Sequence, residues 1–294
     1  MMSKNNPILG LLFLVFAFTP ALAQQSDVKI LVMDLVGEIT YNGPGVKSGA
    51  PETAKLLSSE GSLKLEEGAR ITLLANGMPY ELNTKGKFKL NEVVDMNLKT
   101  PGGFSFDGVF FRRALSAFGI EENEDLAATA GTRGTAFSPP AGSRVASSLI
   151  DFSWQSTEAN TTFDFFLFDQ STDSLIYETP VSATVLTLDF VERGLEEDKG
   201  YCYTVVPSGE GADTAEKVCF TYAGDNGRNG LIRLLERSSK AYPASGEFLQ
   251  TLMRAVAFER GGFYYDAGKL YAGLLETHPD NRAVQLLQAS AMAK

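Results

Sequence analysis

The 294-residue chain has few of the residues that build metal centres and acid–base sites: it contains one His and two Cys. A structural zinc site needs about four Cys or His ligands, so three candidates are too few. His278 lies in Thr-His-Pro-Asp, where a polar surface residue is ordinary, and neither Gly-x-Ser-x-Gly nor His-Glu-x-x-His occurs. We therefore expect no catalytic residue, no metal and no cofactor, although a hydrolase with two carboxylates far apart in the chain stays open.

Basic residues are also scarce, with 26 Lys and Arg against 36 Asp and Glu and a net charge of -10. A uniformly basic nucleic-acid-binding protein is excluded, and the acidity disfavours adhesion to anionic lipid. The stretch from Gly262 to Gly268-Lys269 suggests a phosphate loop, but its spacing is one residue too long and Leu270 replaces Ser or Thr. We expect no nucleotide site there.

Long apolar runs are absent apart from residues 8–18, near the N-terminus. Lys4, this run and Ala21-Leu22-Ala23 have the order of a signal peptide over residues 1–23, with cleavage before Gln24. A membrane anchor needs about 20 apolar residues, so the run is too short for one. We expect a periplasmic or extracellular protein that does not insert into the membrane after signal cleavage.

Export places Cys202 and Cys219 in an oxidising compartment. Both lie in alternating β-forming sequence around a turn cluster at residues 208–213, and the midpoint between them falls at that turn. A symmetric hairpin therefore places the two Cys opposite each other, as a structural disulfide rather than the alternative, a redox-active pair. The neighbouring Tyr201, Tyr203, Val218 and Phe220 would then share the opposite face, which we expect to be the core.

Residues 27–98 predict an all-β domain, a meander of short alternating strands separated by turns such as Asn76-Gly77, with Gly37 as a bulge or bend. The pattern GEITY, LKLEEGARITLL and NGMPYELNTKGKFKL resembles the FecR-type periplasmic β domain over about 70 residues. That family also carries an inner-membrane helix, which has no counterpart here, so a signalling role does not follow from the resemblance.

Residues 99–136 predict a short helix and a linker. Residues 109–118 suit an amphipathic helix with Arg112 and Arg113 on its polar side. The acidic run at residues 121–125 favours a solvated linker, with metal binding as the alternative, although the run lacks the Asp-x-Asp-x-Asp-Gly order of a calcium loop.

Residues 137–224 predict a β-sandwich, from six or seven alternating segments with turns between them. The opening Pro-Pro-x-Gly, the early Trp154 and the Tyr201-Cys-Tyr203 strand resemble a fibronectin type III or Ig-like module. The Phe-rich segment 163–168 carries aromatics on both faces, which indicates a central strand, with a ligand-binding face as the alternative.

Residues 228–294 switch to helical periodicity in four amphipathic segments. In the middle pair, Ala255, Phe258, Ala267, Tyr271 and Pro279 have the spacing of a tetratricopeptide repeat, which this pair resembles. The resemblance implies a helical hairpin in which the small residues let the helices approach, the aromatics fill the space between repeats and the Pro ends the second helix. Because about three repeats are needed for an independent array, the helices must pack on the Ig-like domain or dock a partner. The packing residues implied are Ala255, Phe258, Ala267, Tyr271 and Pro279, and the residue implied for the partner-binding groove is Tyr264.

The sequence thus predicts a multidomain protein with an N-terminal all-β meander, a central β-sandwich and a C-terminal α-helical hairpin repeat. The expected function is a non-enzymatic envelope scaffold or adaptor that binds another envelope protein through the helices. The alternative is a glycan or cell-wall binding module that uses exposed aromatics of a β domain.

Overall fold

The structure is a computed structural model that describes residues 28–97, 114–115, 118–120, 137–156, 162–239 and 246–293, with gaps at 47, 76–77 and 213–214. It confirms a β-rich body of several antiparallel sheets followed by C-terminal helices. Within these ranges no helix is long and apolar enough to cross a membrane. The predicted signal peptide, the 121–125 run and the Asn76-Gly77 turn lie outside the described residues, as does most of the predicted helix at 109–118, of which residues 114–115 are helical.

The N-terminal module consists of two sheets with strand orders β3-β1-β5-β6 and β2-β4-β7. Alternating residues of both sheets, including Ile30, Val32, Leu63 and Ile71, bury their side chains in a shared core. The strands are β1 (Ile30–Val36), β2 (Ile39–Asn42), β3 (Leu56–Leu57), β4 (Ser62–Leu65), β5 (Arg70–Ala75), β6 (Met78–Leu82) and β7 (Gly86–Lys89).

The predicted meander is wrong in its connectivity, because only β5 and β6 are both consecutive and paired. The chain instead passes between the sheets at Gly37, whose φ of +80° suits glycine. A Cβ at Gly37 would lie 2.9 Å from the Cα of Ala69, where the chain crosses back. Gly37 is thus the expected bend, while the β-bulge of this strand lies between Val32 and Asp34.

A helix, α1 (Leu90–Asn97), ends this module where the sequence had predicted only strands. Leu90, Val93 and Val94 have helical spacing and are buried in the module core. The Tyr80 hydroxyl donates to the Val94 carbonyl at 3.4 Å and ties the helix to β6. The short period-2 pattern of the preceding strand hid this change of periodicity.

The central module packs a three-stranded sheet, β13-β10-β8, against a five-stranded sheet, β12-β11-β14-β15-β9. All pairings are antiparallel except that of β15 with β9. Phe152 of one sheet lies between Phe165 and Tyr203 of the other, with ring centroids 4.9 Å from both. The strands are β8 (Phe137–Ser138), β9 (Arg144–Val145), β10 (Leu149–Trp154), β11 (Phe163–Asp169), β12 (Leu175–Val181), β13 (Val185–Asp189), β14 (Lys199–Pro207) and β15 (Val218–Tyr222).

Four helices follow, and we call α2 to α5 the helical block. They are α2 (Gly224–Ser239), α3 (Glu247–Arg260), α4 (Tyr264–Thr277) and α5 (Arg282–Met292). Consecutive helices pack on each other: α2 on α3, α3 on α4 and α4 on α5.

The helical block shares cores with both β modules. Leu31, Met33 and Leu74, on the sheet face turned away from the N-terminal core, pack with the α3–α5 side chains in one apolar cluster. Tyr265 of α4 is buried in the core of the sandwich. The helices therefore lie between the two modules, which goes beyond the predicted packing on the Ig-like domain alone.

Candidate functional site

The residues that the repeat resemblance singled out lie at the α3–α4 hairpin. Ala255, Ala267 and Tyr271 are fully buried. Phe258 is half-buried, with its ring 6.0 Å from that of Phe263, and Pro279 is exposed in the turn after α4.

Tyr264, the residue proposed for partner binding, begins α4 and is half-buried. Its hydroxyl makes no hydrogen bond with any residue in the described ranges, whereas the hydroxyl of the next residue, Tyr265, is held inside the protein. Tyr264 is therefore the tyrosine of α4 that could offer both a ring face and a hydroxyl to another molecule.

The helical block meets the N-terminal module through Asn281, in what we call the first joint. The Asn281 side-chain amide donates to the Met33 carbonyl and to Asp34 Oδ1, each at 3.0 Å. Its oxygen accepts from the Val284 amide at 3.1 Å and so caps the N-terminus of α5. One buried side chain thus starts a helix and attaches it to β1.

The β-bulge in β1 makes this contact possible. Because Met33 is an extra residue in the ladder, Asp34 pairs with Thr72 and lies on the face turned towards the helices. Asp34 is 2% exposed, and its carboxylate also lies 3.4 Å from Arg70 Nη2. The bulge therefore supplies a buried acceptor at the place where α5 begins.

His278 lies beside the first joint, in a cleft of about 400 Å³ that also includes Glu52, Thr53 and Asp280. Its Nε2 atom is 3.6 Å from Asp34 Oδ2, and its Nδ1 atom is 2.8 Å from Thr277 Oγ1. Its ring packs on Phe248 at 5.1 Å. Both ring nitrogens of His278 therefore make contacts that hold the turn after α4 against β1.

The sandwich meets the helical block through Asp266, in what we call the second joint. Asp266 accepts from the Ala146 amide at 2.8 Å and from the Ser147 amide at 3.1 Å, where the chain leaves β9. Burial disfavours the charged form and raises the pKa of Asp266 to about 6, although the two amide hydrogen bonds favour ionisation.

Tyr265 completes the second joint. Its hydroxyl accepts from the Asp151 amide at 2.8 Å and lies 3.2 Å from Lys269 Nζ. Burial raises the pKa of Tyr265, so the hydroxyl stays neutral and acts as a structural hydrogen-bonding group. Lys269 in turn pairs with the Asp151 carboxylate at 3.0 Å. The supposed phosphate-loop lysine is therefore a helix residue paired with the sandwich.

The predicted disulfide is confirmed: Cys202 and Cys219 are joined, and they are directly opposite each other in β14 and β15. The flanking Tyr201, Tyr203, Val218 and Phe220 are buried on the other face, as expected. The Phe-rich strand β11 lies between β12 and β14, with Phe166 half-buried on the outer face.

The joint residues Asn281, Asp266 and Asp34 were missed from sequence. Asn281 carried a usable signal, since Pro-Asp-Asn before an apolar periodic segment is a typical helix start. Asp266 and Asp34 carried no such signal. In a sequence pattern, a buried carboxylate that accepts from a distant backbone amide looks the same as a solvated one.

Among the residues that the structure describes, no three His, Cys, Asp or Glu side chains are grouped so as to hold a metal ion. No family model matches this chain, and no curated protein matches it either.

Proposed function

We propose that this protein is an exported, non-enzymatic scaffold or adaptor of the cell envelope, which binds another envelope protein through its helical block. The observation that carries the proposal is the position of that block between two β modules. The first joint ties α5 to β1 and the second ties α4 to the sandwich, so the helices have a defined orientation to both. A rigid support of this kind suits a protein that presents a surface at a set position.

We also propose a family resemblance for each of the two β modules and for the helical block. Sheets of three and five strands, with a buried Trp154 between them, support a fibronectin type III-like sandwich. Tyr201 Oη donates to the Glu196 carbonyl at 3.1 Å and accepts from its amide at 2.8 Å, in the manner of the tyrosine corner of such sandwiches. We likewise propose a FecR-like N-terminal module and a tetratricopeptide-like hairpin of α3 and α4.

Export is supported by the disulfide, because such bonds persist in oxidising compartments. The intact mass of the protein recovered from the cell envelope tests this proposal. A chain that begins at Gln24 agrees with it, and a chain that retains residues 1–23 contradicts it.

The proposed contact surface is the N-terminal end of α4 around Tyr264. The α3 face that a tetratricopeptide array would leave free is covered, since Phe248, Leu252 and Val256 are buried in the cluster shared with β1. Tyr264 is half-buried, and the residues three, four and seven positions further along α4 are buried, so the surface is confined to the start of the helix. Tyrosine at such a position offers a large contact area at low entropic cost, which is why it is frequent in interfaces.

A photo-cross-linking amino acid at position 264 tests the proposed surface in envelope extract. The matched control is the same amino acid at position 185, because Val185 is exposed on the outer side of the sandwich. We expect an adduct from position 264 that unlabelled native protein competes away and the Tyr264→Ala variant does not. The same adduct from both positions, or none from position 264, would contradict the proposal.

A glycan-binding function is the second candidate, favoured by a polar cleft between β8, β10 and α5. A pulldown with cell-wall material separates the two: glycan binding survives removal of protein from the wall, and scaffold binding does not.

A further inference from the structure

A cleft of about 350 Å³ separates the sandwich from the last helix. On the helix side it is lined by Gln285, Gln288, Ala289 and Met292, whose spacing of three, four and seven residues places them on one stripe of α5. The adjacent stripe, which includes Ala283, Val284 and Leu287, is buried in the helical core. The stripe that lines the cleft is therefore on a helix whose position is already held by other contacts.

The sandwich side is formed by Phe137, Ser138 and Ser153. Ser138 and Ser153 pair across β8 and β10, and Ser153 alternates with the buried Phe152 and Trp154. Its side chain is thus on the outer face of the three-stranded sheet, directed towards α5.

Several polar groups in the cleft are uncommitted. The hydroxyls of Ser138 and Ser153 and the amide of Gln288 make no hydrogen bond with any residue that the structure describes. Gln285 is different, because its amide nitrogen donates to the Pro279 carbonyl at 2.9 Å and its oxygen faces Arg282 Nη1 at 3.4 Å. The cleft therefore combines one oriented amide with three neutral groups that both donate and accept.

The chemistry of the lining selects the ligand. Among the described residues, no Asp, Glu, Lys, Arg or His lines the cleft, so a charged ligand would find no partner among them. A wholly apolar ligand would leave the Ser and Gln groups without hydrogen bonds. A saccharide unit has hydroxyls for these groups and a C–H face that packs on Phe137 and Met292. The volume is in the range of roughly 300–1,000 Å³ that is usual for small-ligand sites.

A peptide is the main competitor, because its amides also donate and accept. An extended peptide gains most of its affinity by pairing along a strand edge, and the described part of β8 is two residues long. We propose that the cleft between β8, β10 and α5 binds a neutral saccharide unit of a glycan chain. The proposal rests on the glycan-binding candidate and specifies its ligand, and because the site is separate from Tyr264 it can fail without affecting the scaffold function.

Methyl-labelled methionine NMR of the full exported chain tests the proposal, with neutral tetrasaccharides of glucose and of N-acetylglucosamine as probes. The sequence has seven Met residues, of which Met1 and Met2 lie in the proposed signal peptide, so the spectrum is simple. We expect at least one probe to shift the Met292 methyl signal. Gln288→Ala, which removes one or two hydrogen bonds, should weaken binding about three- to tenfold.

Ala289→Trp should fill the cleft and abolish the shift, and because Ala289 is exposed the variant should still fold. The matched control is Val191→Trp, at an exposed position beyond the far end of β13, which should bind as the native protein does. If no saccharide shifts Met292, or if Ala289→Trp binds as well as the control, the proposal is wrong. A shift with tetra-alanine and none with saccharides would assign the cleft to peptides and also overturn it.

Discussion

The Asn281 side chain bonds to Asp34 at 3.0 Å across 247 positions of sequence, and the same side chain caps α5. The start of the last helix and the second half of the first strand are thus specified together. This arrangement explains how a set of helices too small for an independent repeat array can be ordered: its apolar faces are covered by the protein's own β modules.

Replacing Asn281 with Ala should lower the free energy of unfolding by about 2–4 kcal/mol, because the cap is lost and the buried Asp34 loses a donor. Asn281→Ser keeps a capping oxygen and should cost less. Urea denaturation measures both, with Asn229→Ala, at an exposed position of α2, as the control. If all three variants are equally stable, the first joint contributes nothing.

The second joint should give the protein a specific pH dependence. The folded-state pKa of Asp266 is about 6, above the usual 3.8, so the folded state holds this proton more tightly than the unfolded state. Below pH 3.8, Asp266 is protonated in both states and does not change the free energy of unfolding. As pH rises from 3.8 to about 6, Asp266 lowers the free energy of unfolding increasingly, by up to about 3 kcal/mol.

The measurement is the difference in unfolding free energy between the native protein and Asp266→Asn, taken across this pH range. The Asn side chain does not titrate, but it has only one oxygen to accept from the two backbone amides. The lost hydrogen bond changes the free energy of unfolding by an amount that does not depend on pH. We expect the difference to change between pH 4 and 6 and to be constant above. A difference that does not vary with pH would contradict the raised pKa.

Loss of the disulfide should destabilise the sandwich without affecting partner capture. The bond closes a loop with a sequence separation of 17, for which loop entropy gives about 3 kcal/mol. The test compares melting temperatures of the native protein and a Cys202→Ser, Cys219→Ser double variant, followed by the position-264 cross-linking assay. Two free thiols in native exported protein, or loss of cross-linking, would disagree with a purely structural role.

The two tyrosines of α4 should separate stability from binding. Tyr271 is fully buried, so Tyr271→Ala should cost about 3–5 kcal/mol. Tyr264→Ala should lower the free energy of unfolding much less, because Tyr264 is half-buried. It should weaken partner capture, because Tyr264 is in the proposed contact surface. Denaturant titration and capture from envelope extract give the two rankings, and the opposite order would mean that the repeat register is wrong.

Local patterns predicted the elements well where periodicity was long. The alternation around Cys202 and Cys219 gave the hairpin, its register and its buried face, and the helical period after residue 228 gave the helices. Connectivity was less accessible, because alternation shows that a strand has two faces but not which strand lies beside it. The N-terminal two-sheet order was missed for this reason. The helix α1 at Leu90 was missed because the alternation of the preceding strand hid the change to helical period.

The joints were beyond sequence reasoning for a related cause. Asp34 faces the helices only because a bulge at Met33 breaks the strand's alternation, and nothing local marks that bulge. Asp266 accepts from amides about 120 positions earlier in the chain. Contacts of this range depend on how modules pack, which one sequence does not encode in any local spacing.

The most direct test of the coupling between the helical block and the β modules uses the chain's single Trp. Trp154 is buried in the sandwich, so its fluorescence reports on that module, whereas far-UV circular dichroism reports mainly on the helices. Urea unfolding followed by both signals should give coincident transitions, and Asn281→Ala should lower both midpoints together. A helical transition at lower urea, with the Trp154 midpoint unchanged by Asn281→Ala, would show that the helices and the sandwich are independent.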